Sequence, residues 1–297
     1  MRVAILFNPA SGQGRAEAEA GRFAAALAAA GHFVRPIPSR PGPDRAWLEG
    51  PLREADALLV AGGDGAIRLA AGPAARAGVP VHHLPLGTEN LFARQYGGSR
   101  TPEEAVAALA RGAVRAVDLA SIRAGGAEED FTIMASLGVD AAIVHDLAAR
   151  RNGPISHLSY LGPVVRQGLA WEPPVISISI DGDRWRELGR GLLVVANAVV
   201  YALGIDPVRG ADPADGLLDA AFLPCEGSFE ALAAALRSLA GGGLPEVERI
   251  AASSVRVRAR PGGLWQVDGD PGPPGFGGDQ EATLAVRPER LRVLGAG

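Results

Sequence analysis

The sequence predicts an α/β protein with two domains: an N-terminal domain with a doubly wound parallel sheet and a C-terminal antiparallel β-sandwich domain. Over residues 1–117, short apolar runs alternate with alanine-rich segments, a pattern typical of a parallel sheet covered by helices. From about residue 118 onward, short strands follow one another with turns between them. The length of 297 residues suggests one large or two ordinary domains, and the 47% hydrophobic content is ample for a core.

The N-terminal domain begins with a strand and a helix. The strand is predicted over Val3 to Phe7, and the helix runs from about Arg15 to Ala30 with Gly31 at its end. A second strand is predicted over Phe33 to Ile37, before a proline-rich loop at residues 40–51. The first strand, the helix and the second strand together form a βαβ unit, which favours parallel pairing.

Two later strands end in glycine-rich loops. Residues 57–61 lead into Gly62-Gly63-Asp64-Gly65, and residues 79–84 lead into Pro85-Leu86-Gly87-Thr88-Glu89-Asn90. Glycine lets the backbone approach a ligand closely, and a helix starting at Ala66 offers N–H groups and a positive dipole end to a phosphate. Asp64 suits such a loop if a divalent cation lies beside the phosphate or if the carboxylate positions the nucleotide in another way. The alternative is a tight turn with a surface aspartate.

The end of the first domain and the second domain are predicted as follows. A helix is predicted over Pro102 to Arg111, with a capping box formed by Thr101 and Glu104 and with Pro102 as the first helical residue. Further helices are expected over residues 141–151 and 228–240. Strands are expected over residues 116–124, 131–138, 175–181, 191–199, 217–223, 254–260 and 264–267. The domain boundaries therefore fall at residues 1–117 and 118–287, and residues 288–297 are a candidate completion of the first domain.

Three loops in the first domain should lie together, because ligands of open parallel sheets bind beyond the carboxyl ends of the strands. Asn8 follows the first strand, Asp64 the third and Thr88 the fourth. One glycine loop is weak evidence for a ligand site. Three at strand ends predict a nucleotide site.

Composition excludes several function classes. All 29 basic residues are arginine, so a Walker A lysine, a protein-kinase lysine and Schiff-base chemistry are ruled out. The net charge of −4 gives no support to a nucleic-acid partner. A single cysteine, Cys225, excludes an internal disulfide and fits a reducing compartment. With neither a signal peptide nor a transmembrane segment in the sequence, a cytoplasmic protein is expected.

The chain resembles the bacterial diacylglycerol kinase and lipid kinase family, which includes sphingosine and ceramide kinases. The resemblance rests on five motifs in chain order: Asn8-Pro9-Ala10-Ser11-Gly12 (NPxSG), Gly62-Gly63-Asp64-Gly65-Ala66 (GGDGT), Pro85-Leu86-Gly87-Thr88-Glu89-Asn90 (PxGTxN), Asp215-Gly216-Leu217-Leu218-Asp219 (DGxLD) and Val267-Asp268-Gly269-Asp270 (DGE). It implies an ATP-binding α/β domain and a lipid-substrate β-sandwich domain, with ATP and Mg²⁺ as cofactors. It also implies a lipid acceptor at the membrane surface and transient membrane association, and leaves a homodimer open.

The resemblance also implies roles for particular residues. ATP would be held by Asn8, Pro9, Ala10, Ser11, Gly12, Ser39, Gly62, Gly63, Asp64, Gly65, Ala66, Thr88 and Asn90. Magnesium would be held by Asp212, Asp215 and the backbone carbonyl of Leu217, whose oxygen donors suit that ion. Asp268 and Asp270 fall where the family places its general base. Asp215-Gly216 and Asp268-Gly269 also carry the ordinary signature of a turn.

Several positions depart from the family pattern. Ala66 replaces the usual threonine, Arg68-Leu69 replaces Asn-Glu, Leu91 replaces an aspartate, and Asp270 replaces a glutamate. An active lipid kinase is therefore weighed against a nucleotide- or lipid-binding member without catalysis, and against an NAD kinase, which shares the GGDGT loop. His82-His83 is interpreted as structural or solvent-facing, because neighbouring strand residues face opposite sides and cannot share a metal.

Overall fold

The structure is a computed structural model that describes residues 1–9, 15–40, 42, 44–150, 159, 161–199, 208, 210–239, 248–273, 276–277 and 280–295. It divides into two compact units, Met1–Leu119 with Pro288–Gly297 and Ala120–Arg287. Three of the predicted ATP-loop residues, Ala10, Ser11 and Gly12, lie outside the described residues.

The strands in chain order are β1 (Arg2–Phe7), β2 (Phe33–Pro38), β3 (Ala57–Gly62), β4 (Val81–Pro85), β5 (Val114–Val117), β6 (Ala120–Ala124), β7 (Ala127–Phe131), β8 (Met134–Leu137), β9 (Val175–Ile180), β10 (Arg186–Ala196), β11 (Leu218–Pro224), β12 (Glu248–Ala252), β13 (Ser254–Arg260), β14 (Gly262–Gly263), β15 (Trp265–Val267), β16 (Asp270–Pro271), β17 (Phe276–Gly277), β18 (Ala282–Val286) and β19 (Leu291–Leu294). The helices are α1 (Arg15–Ala29), α2 (Glu49–Arg53), α3 (Asp64–Ala77), α4 (Leu91–Tyr96), α5 (Pro102–Arg111), α6 (Val139–Ala149), α7 (Leu161–Ala170) and α8 (Ser228–Leu239), and a short 3₁₀ helix covers Ala46–Leu48.

The first unit contains a six-stranded sheet in the order β2-β1-β3-β4-β19-β5. The first five strands are parallel, and β5 pairs antiparallel with β19 at one edge. The strand order reverses direction between β1 and β3, since the chain goes from β1 outward to β2 and then returns to the other side. The predicted doubly wound parallel sheet is confirmed, and its switch point lies between β1 and β3.

Apolar residues on both faces of the central strands explain why this sheet is buried. Successive residues of β3 from Ala57 to Ala61 are all fully buried, as expected for a parallel strand covered on both sides. One face packs in a core with Phe23 and Leu27 of α1 and Ala105 and Leu109 of α5. Helix α3 contacts β3 and β19. The predicted capping box of α5 is also confirmed: the Glu104 N–H donates to Thr101 Oγ1, and the Thr101 N–H donates to Glu104 Oε2.

The second unit is an antiparallel sandwich whose long strand β10 belongs to two sheets. Its N-terminal part pairs with β9, its C-terminal part pairs with β8 and β11, and the pairing with β9 shifts register between Glu187 and Gly189. The strand path runs β16-β15-β8-β10-β9-β13-β18-β6-β7, with β11 and β12 branching from β10. Inward-facing residues of both sheets, among them Phe131, Ile178, Val257 and Trp265, form one core. The predicted sandwich is confirmed.

Two predicted strands are each interrupted, and a buried aspartate lies at each interruption. The expected strand over residues 116–124 is two strands, because the chain leaves the first sheet at Asp118 and enters the second sheet at Ala120. Asp118 is buried and pairs with Arg290 at 3.0 Å. The expected strand over residues 131–138 breaks at Thr132 and Ile133, whose N–H groups donate to the Asp268 carboxylate. The apolar pattern continues through both breaks, so periodicity could not reveal them.

Helix α7, between α6 and β9, was not predicted. In the described part of the chain, no helix is both long and apolar enough to cross a membrane.

Candidate nucleotide and acceptor sites

Four loops meet at the carboxyl edge of the first sheet. The parallel register brings together the ends of β2, β1, β3 and β4. Asn8 and Pro9 follow β1 and are exposed, and the half-buried Ser39 follows β2. The Ser39 N–H donates to the Phe7 carbonyl at 2.7 Å, which ties the ends of these two strands together. The structure thus gathers the described members of the predicted ATP site at one edge, around the switch point.

The two glycine loops touch each other through their backbones. A Cβ atom built on Gly87 would lie 2.6 Å from Gly63 Cα, and one built on Gly63 would lie 3.2 Å from Gly87 Cα. Ordinary contacts begin near 3.4 Å, so neither position accepts a side chain without movement. Neither glycine has a positive φ, so the requirement is for space and not for a left-handed backbone. The contact explains why both loops carry glycine and fixes the third and fourth strand ends relative to each other.

Asp64 joins these loops by capping a helix. Its carboxylate accepts hydrogen bonds from the Leu91 N–H at 3.0 Å and the Phe92 N–H at 2.9 Å, the first two residues of α4. The N-cap residue of α4, Asn90, has a left-handed backbone (φ 50°) and makes no cap of its own. A carboxylate at a helix N-terminus satisfies N–H groups that have no partner within the helix. Asp64 therefore has a definite structural role in addition to its predicted place beside the nucleotide.

Asn90 holds the second loop closed. Its Oδ1 accepts from the Gly87 N–H at 2.8 Å, and its Nδ2 donates to the Gly87 carbonyl at 2.7 Å. Thr88 lies between these residues and is exposed. Asn90 therefore fixes the conformation of the loop and presents its tip.

The N-terminus of α3 lies at the same edge. The helix starts at Asp64, two residues before the predicted start, and Gly63 is its N-cap without a side-chain cap. Gly65 and Ala66 lie in its first turn and are half-buried. A helix end of this kind attracts anions through its N–H groups and its dipole. Asp64 is itself an anion in this turn, and its bonds to α4 engage both of its oxygens.

His83 holds the start of the first glycine loop by a hydrogen bond. Its Nε2 donates to the Gly62 carbonyl at 2.9 Å, and its ring meets that of Phe92 edge-on. Burial lowers the pKa of His83 to about 4, so the ring is neutral at pH 7. Next to it, the imidazole of His82 bonds the Leu294 carbonyl and the Ser99 hydroxyl, and burial lowers its pKa as well. The structural interpretation of this pair is confirmed. Sequence reasoning missed the support of the loop by His83, although a histidine at the end of a buried strand, just before a glycine loop, was the available signal.

Asp268 and Asp270 flank a tight hairpin turn in the second unit. Asp268 (φ 48°) and Gly269 (φ 84°) both have positive φ, as in a two-residue turn, and Val267 pairs with Asp270 across it. Asp268 is only 4% exposed. Its carboxylate accepts from the N–H groups of Thr132, Ile133 and Met134 and from the Thr132 hydroxyl, at 2.9 to 3.1 Å.

These contacts separate the two candidates for general base. The carboxylate of Asp268 is buried and is engaged by four donors. Such donors stabilise the ionised form and oppose uptake of a proton. Asp270 is half-buried and lies at the start of β16. Of the two, the geometry favours Asp270 as the base.

The predicted magnesium ligands share one turn. Asp212 Oδ1 accepts from the Ala214 N–H at 3.0 Å, and Asp215 Oδ1 accepts from the Leu217 N–H at 2.9 Å. Both carboxylates are exposed. Burial, and next the charge of Asp215, raise the pKa of Asp219. Carboxylates that repel one another in one turn suit a divalent cation, and Mg²⁺ needs only one or two of them because it keeps several waters.

The donor chemistry of this turn fits magnesium, although the side chains present do not form a complete metal cage. Within the described ranges, no group of three or more histidine, cysteine, aspartate or glutamate side chains could hold a metal ion.

The fold, the glycine loops of the first unit and the aspartate-bearing turns of the second define a class of protein. It consists of an α/β domain with glycine loops at its switch point, joined to an antiparallel sandwich. Residues 2–122 match the family model described as the diacylglycerol kinase catalytic domain, and residues 133–295 match the YegS C-terminal NAD kinase beta sandwich-like domain. Because the second match alone covers more than half of the chain, the chain belongs to the diacylglycerol kinase and YegS family of lipid kinases. The resemblance inferred from the motifs is confirmed.

Individual relatives agree with this family. The chain is 28% identical to a protein of Mycobacterium tuberculosis named diacylglycerol kinase, over 99% of this chain and 94% of the relative. A solved Bacillus anthracis structure described as a diacylglycerol kinase has a TM-score of 0.66 at 18% identity and covers 99% of this chain and 96% of that one. An NAD kinase from Archaeoglobus fulgidus, solved in complex with ATP, has a TM-score of 0.54 at 16% identity over 99% and 93%. These structures show a shared fold.

Proposed function

We propose that the protein is an ATP-dependent lipid kinase that transfers the γ-phosphate to the hydroxyl of a diacylglycerol-like lipid. The observation that carries the proposal is the contact between Gly63 and Gly87 at the switch point of the first sheet. This contact joins the ends of β3 and β4 beside the N-terminus of α3, and the parallel pairing of β1 with β3 puts the loop after β1 at the same edge. In open α/β sheets, that is where phosphate-bearing ligands bind.

ATP is assigned to this edge of the first unit. The proposed contacts are Asn8 and Pro9 with residues 10–12, Ser39, Gly62 to Ala66, Thr88 and Asn90. The backbone N–H groups of the glycine loop and the first turn of α3 would bind phosphate oxygens, which supports affinity without a lysine. Asp64 would hold the two loops in place through α4, and Asn90 would keep Thr88 at the tip of its turn.

Magnesium is assigned to Asp212, Asp215 and the Leu217 carbonyl. Bound there, the ion would neutralise charge on the phosphates during transfer. The residues would supply two carboxylates and one carbonyl, and the backbone bonds of both aspartates would hold them in a single turn.

Asp270 is assigned as the general base. It would take the proton from the acceptor hydroxyl as that oxygen forms its bond to the γ-phosphorus and the bond from phosphorus to the β,γ-bridging oxygen breaks, leaving ADP. Asp268 would instead hold the hairpin turn against residues 132–134. Positioning and charge neutralisation supply most of the rate in phosphoryl transfer, and a base adds typically 100- to 10,000-fold.

Two alternatives are set against this function. A nucleotide- or lipid-binding member without catalysis is favoured by Leu91, where the family pattern has an aspartate. The Leu91 N–H is bound by Asp64, but its side chain cannot bind a metal. An NAD kinase is supported by the sandwich that it shares with this family.

Thermal stability with ATP, GTP and NAD, each with and without millimolar magnesium, tests the nucleotide half of the proposal. We expect ATP with magnesium to raise the Tm. A protein that responds to NAD alone, or to no nucleotide, would contradict it. ATP binding without transfer to any lipid would instead identify the binding protein.

A further inference from the structure

A series of hydrogen-bonded side chains, two of them buried, leads from helix α6 to the turn that carries Asp270. Ser136 on β8 lies directly opposite Gln266 on β15, and the two are 0% and 4% exposed. The Ser136 hydroxyl bonds to the carboxylate of Asp140 in the first turn of α6, and Gln266 Nε2 donates to Ser136 Oγ at 2.8 Å. Gln266 Oε1 accepts from the Gly269 N–H at 2.8 Å. Gly269 is the residue immediately before Asp270.

The directions of these bonds are fixed by the charged end of the chain. A carboxylate only accepts hydrogen bonds, so the Ser136 hydroxyl must donate its proton to Asp140. The lone pair of Ser136 then receives the amide N–H of Gln266, which turns the amide oxygen of Gln266 toward Gly269. Each group can satisfy its partner in one arrangement only. The chain therefore sets the orientation of the Gln266 amide and, through it, of the Gly269 peptide.

The hydrogen-bonded side chains of Ser136 and Gln266 lie on the outer face of the sandwich, away from the core. Trp265 and Val267 of β15 and Ala135 and Leu137 of β8 point into the core, so Gln266 and Ser136 point to the opposite face. Helix α6 packs against β15 and β16 on this unit, and the His145 Nε2 donates to the Trp265 carbonyl at 2.8 Å. The helix that provides Asp140 is thus fixed to the strand that provides Gln266.

We propose that Ser136 and Gln266 are positioning residues, which with Asp140 hold the Asp268–Gly269 turn so that the Asp270 carboxylate meets the acceptor hydroxyl. Asp268 anchors one side of the turn to residues 132–134, and the Gln266 amide anchors the other side at Gly269. Two-sided anchoring restricts the backbone from which the Asp270 side chain projects. The effect of these residues on catalysis rests on the proposed function. Their effect on the conformation of the turn rests on the hydrogen bonds alone.

The structure offers a closely matched control for Ser136. Ser179 on β9 is 1% exposed; its hydroxyl donates to the Asp183 carbonyl at 2.7 Å and accepts from Arg256 at 3.1 Å. Both serines are buried strand residues that donate one hydrogen bond and accept another. Ser136→Ala and Ser179→Ala should therefore cost similar stability. Only the first removes a link to the turn before Asp270.

The experiment compares the full-length wild type, Ser136→Ala, Gln266→Met and Ser179→Ala. Hydrogen exchange of the Gly269 amide is followed by NMR, and phosphate transfer from ATP is measured with saturating ATP. We expect Ser136→Ala and Gln266→Met to speed Gly269 exchange by about tenfold or more. We expect them to lower kcat by about 10- to 100-fold with the KM for ATP unchanged. A displacement of the base by about 1 Å is enough to slow the transfer step by such a factor. Ser179→Ala should match the wild type in both measurements.

The outcomes are separable. Unchanged Gly269 exchange in Ser136→Ala and Gln266→Met would overturn the inference, whatever the activity of the wild type. Faster exchange with an unchanged kcat would also overturn it, since the turn would not position the base. Equal losses of kcat in Ser136→Ala and Ser179→Ala would reduce the effect to stability. If the wild type transfers phosphate to no acceptor, the proposed function and the catalytic half fall, and the exchange rates still decide whether the chain holds the turn.

Discussion

The contact between the two glycine loops makes Gly87→Ala the sharpest perturbation of the nucleotide edge. The new Cβ would lie 2.6 Å from Gly63 Cα and 3.0 Å from Asn90 Oδ1. Since ordinary contact begins at 3.4 Å, the two backbones must separate by about 0.8 Å. Backbone atoms cannot rotate away as a flexible side chain can. Moving Asn90 also strains its bond with the Gly87 N–H.

We expect Gly87→Ala to lower the free energy of unfolding by about 1–3 kcal/mol, the usual cost of overpacking. Gly63→Ala should cost less, because its Cβ would stop 3.2 Å from Gly87 Cα. Gly21 provides the control: it lies exposed within α1, and a Cβ there meets nothing within 4 Å. Gly21→Ala should stabilise the protein by roughly 0.5–1 kcal/mol through helix propensity.

Urea unfolding followed by circular dichroism gives the three free energies, and a titration with ATP and magnesium gives the affinity of each variant. Gly87→Ala should weaken ATP binding more than Gly63→Ala, and Gly21→Ala should leave it unchanged. A Gly87→Ala variant that unfolds at the wild-type urea concentration and binds ATP with wild-type affinity would show that the two loops are not in tight contact.

Three further predictions concern single ionisable side chains. Asp270→Asn should lower kcat by at least about 100-fold with ATP affinity preserved, whereas Asp268→Asn should lower the free energy of unfolding by about 3 kcal/mol, because four donors lose a charged acceptor. Kinetics and urea unfolding of both variants check this prediction, and a stable but inactive Asp268→Asn would assign the base to Asp268 instead. Asp64→Ala should abolish phosphate transfer without unfolding the protein, and should lower the free energy of unfolding by about 1 kcal/mol through loss of the α4 cap. Full activity in this variant would leave Asp64 with the capping role alone. The stability that depends on His83 should be fully present above about pH 6.5 and be lost as the pH falls toward its folded pKa of about 4, because the unfolded chain binds the proton more readily. The free energy of unfolding, measured from pH 4 to 8, should therefore depend less on pH in His83→Asn than in the wild type, and an equal dependence would contradict this prediction.

Most of the first unit could be predicted because its strands and helices carry local signals. The run from Ala57 to Ala61 is apolar at every position, and Thr101 with Glu104 specifies a helix start by hydrogen bonds within four residues. The glycine loops could be placed at one edge because parallel strands share their direction. What could not be predicted was the contact between Gly63 and Gly87, which depends on packing between loops 24 residues apart in sequence.

The second unit was predicted less well because its decisive contacts are long-range. Asp268 interrupts a strand 136 residues away by binding the Thr132 N–H, and nothing near Thr132 in sequence signals this. Asp268-Gly269-Asp270 has the same local pattern whether both carboxylates are open or one is buried. Only the partners of Asp268 distinguish these two cases, and they come from another strand. Similarly, Ser136 and Gln266 are unremarkable in sequence until β8 pairs with β15.

Transfer of label from ATP to a lipid hydroxyl tests the proposed kinase activity directly. Wild type and Asp270→Asn are incubated with γ-labelled ATP and vesicles that contain diacylglycerol, sphingosine or ceramide, each with magnesium and with EDTA, and NAD serves as a separate acceptor. The proposed function predicts labelled lipid from a diacylglycerol-like acceptor, lost in EDTA and reduced at least about 100-fold in Asp270→Asn. Label on NAD alone, or on no acceptor while ATP still binds, would contradict it.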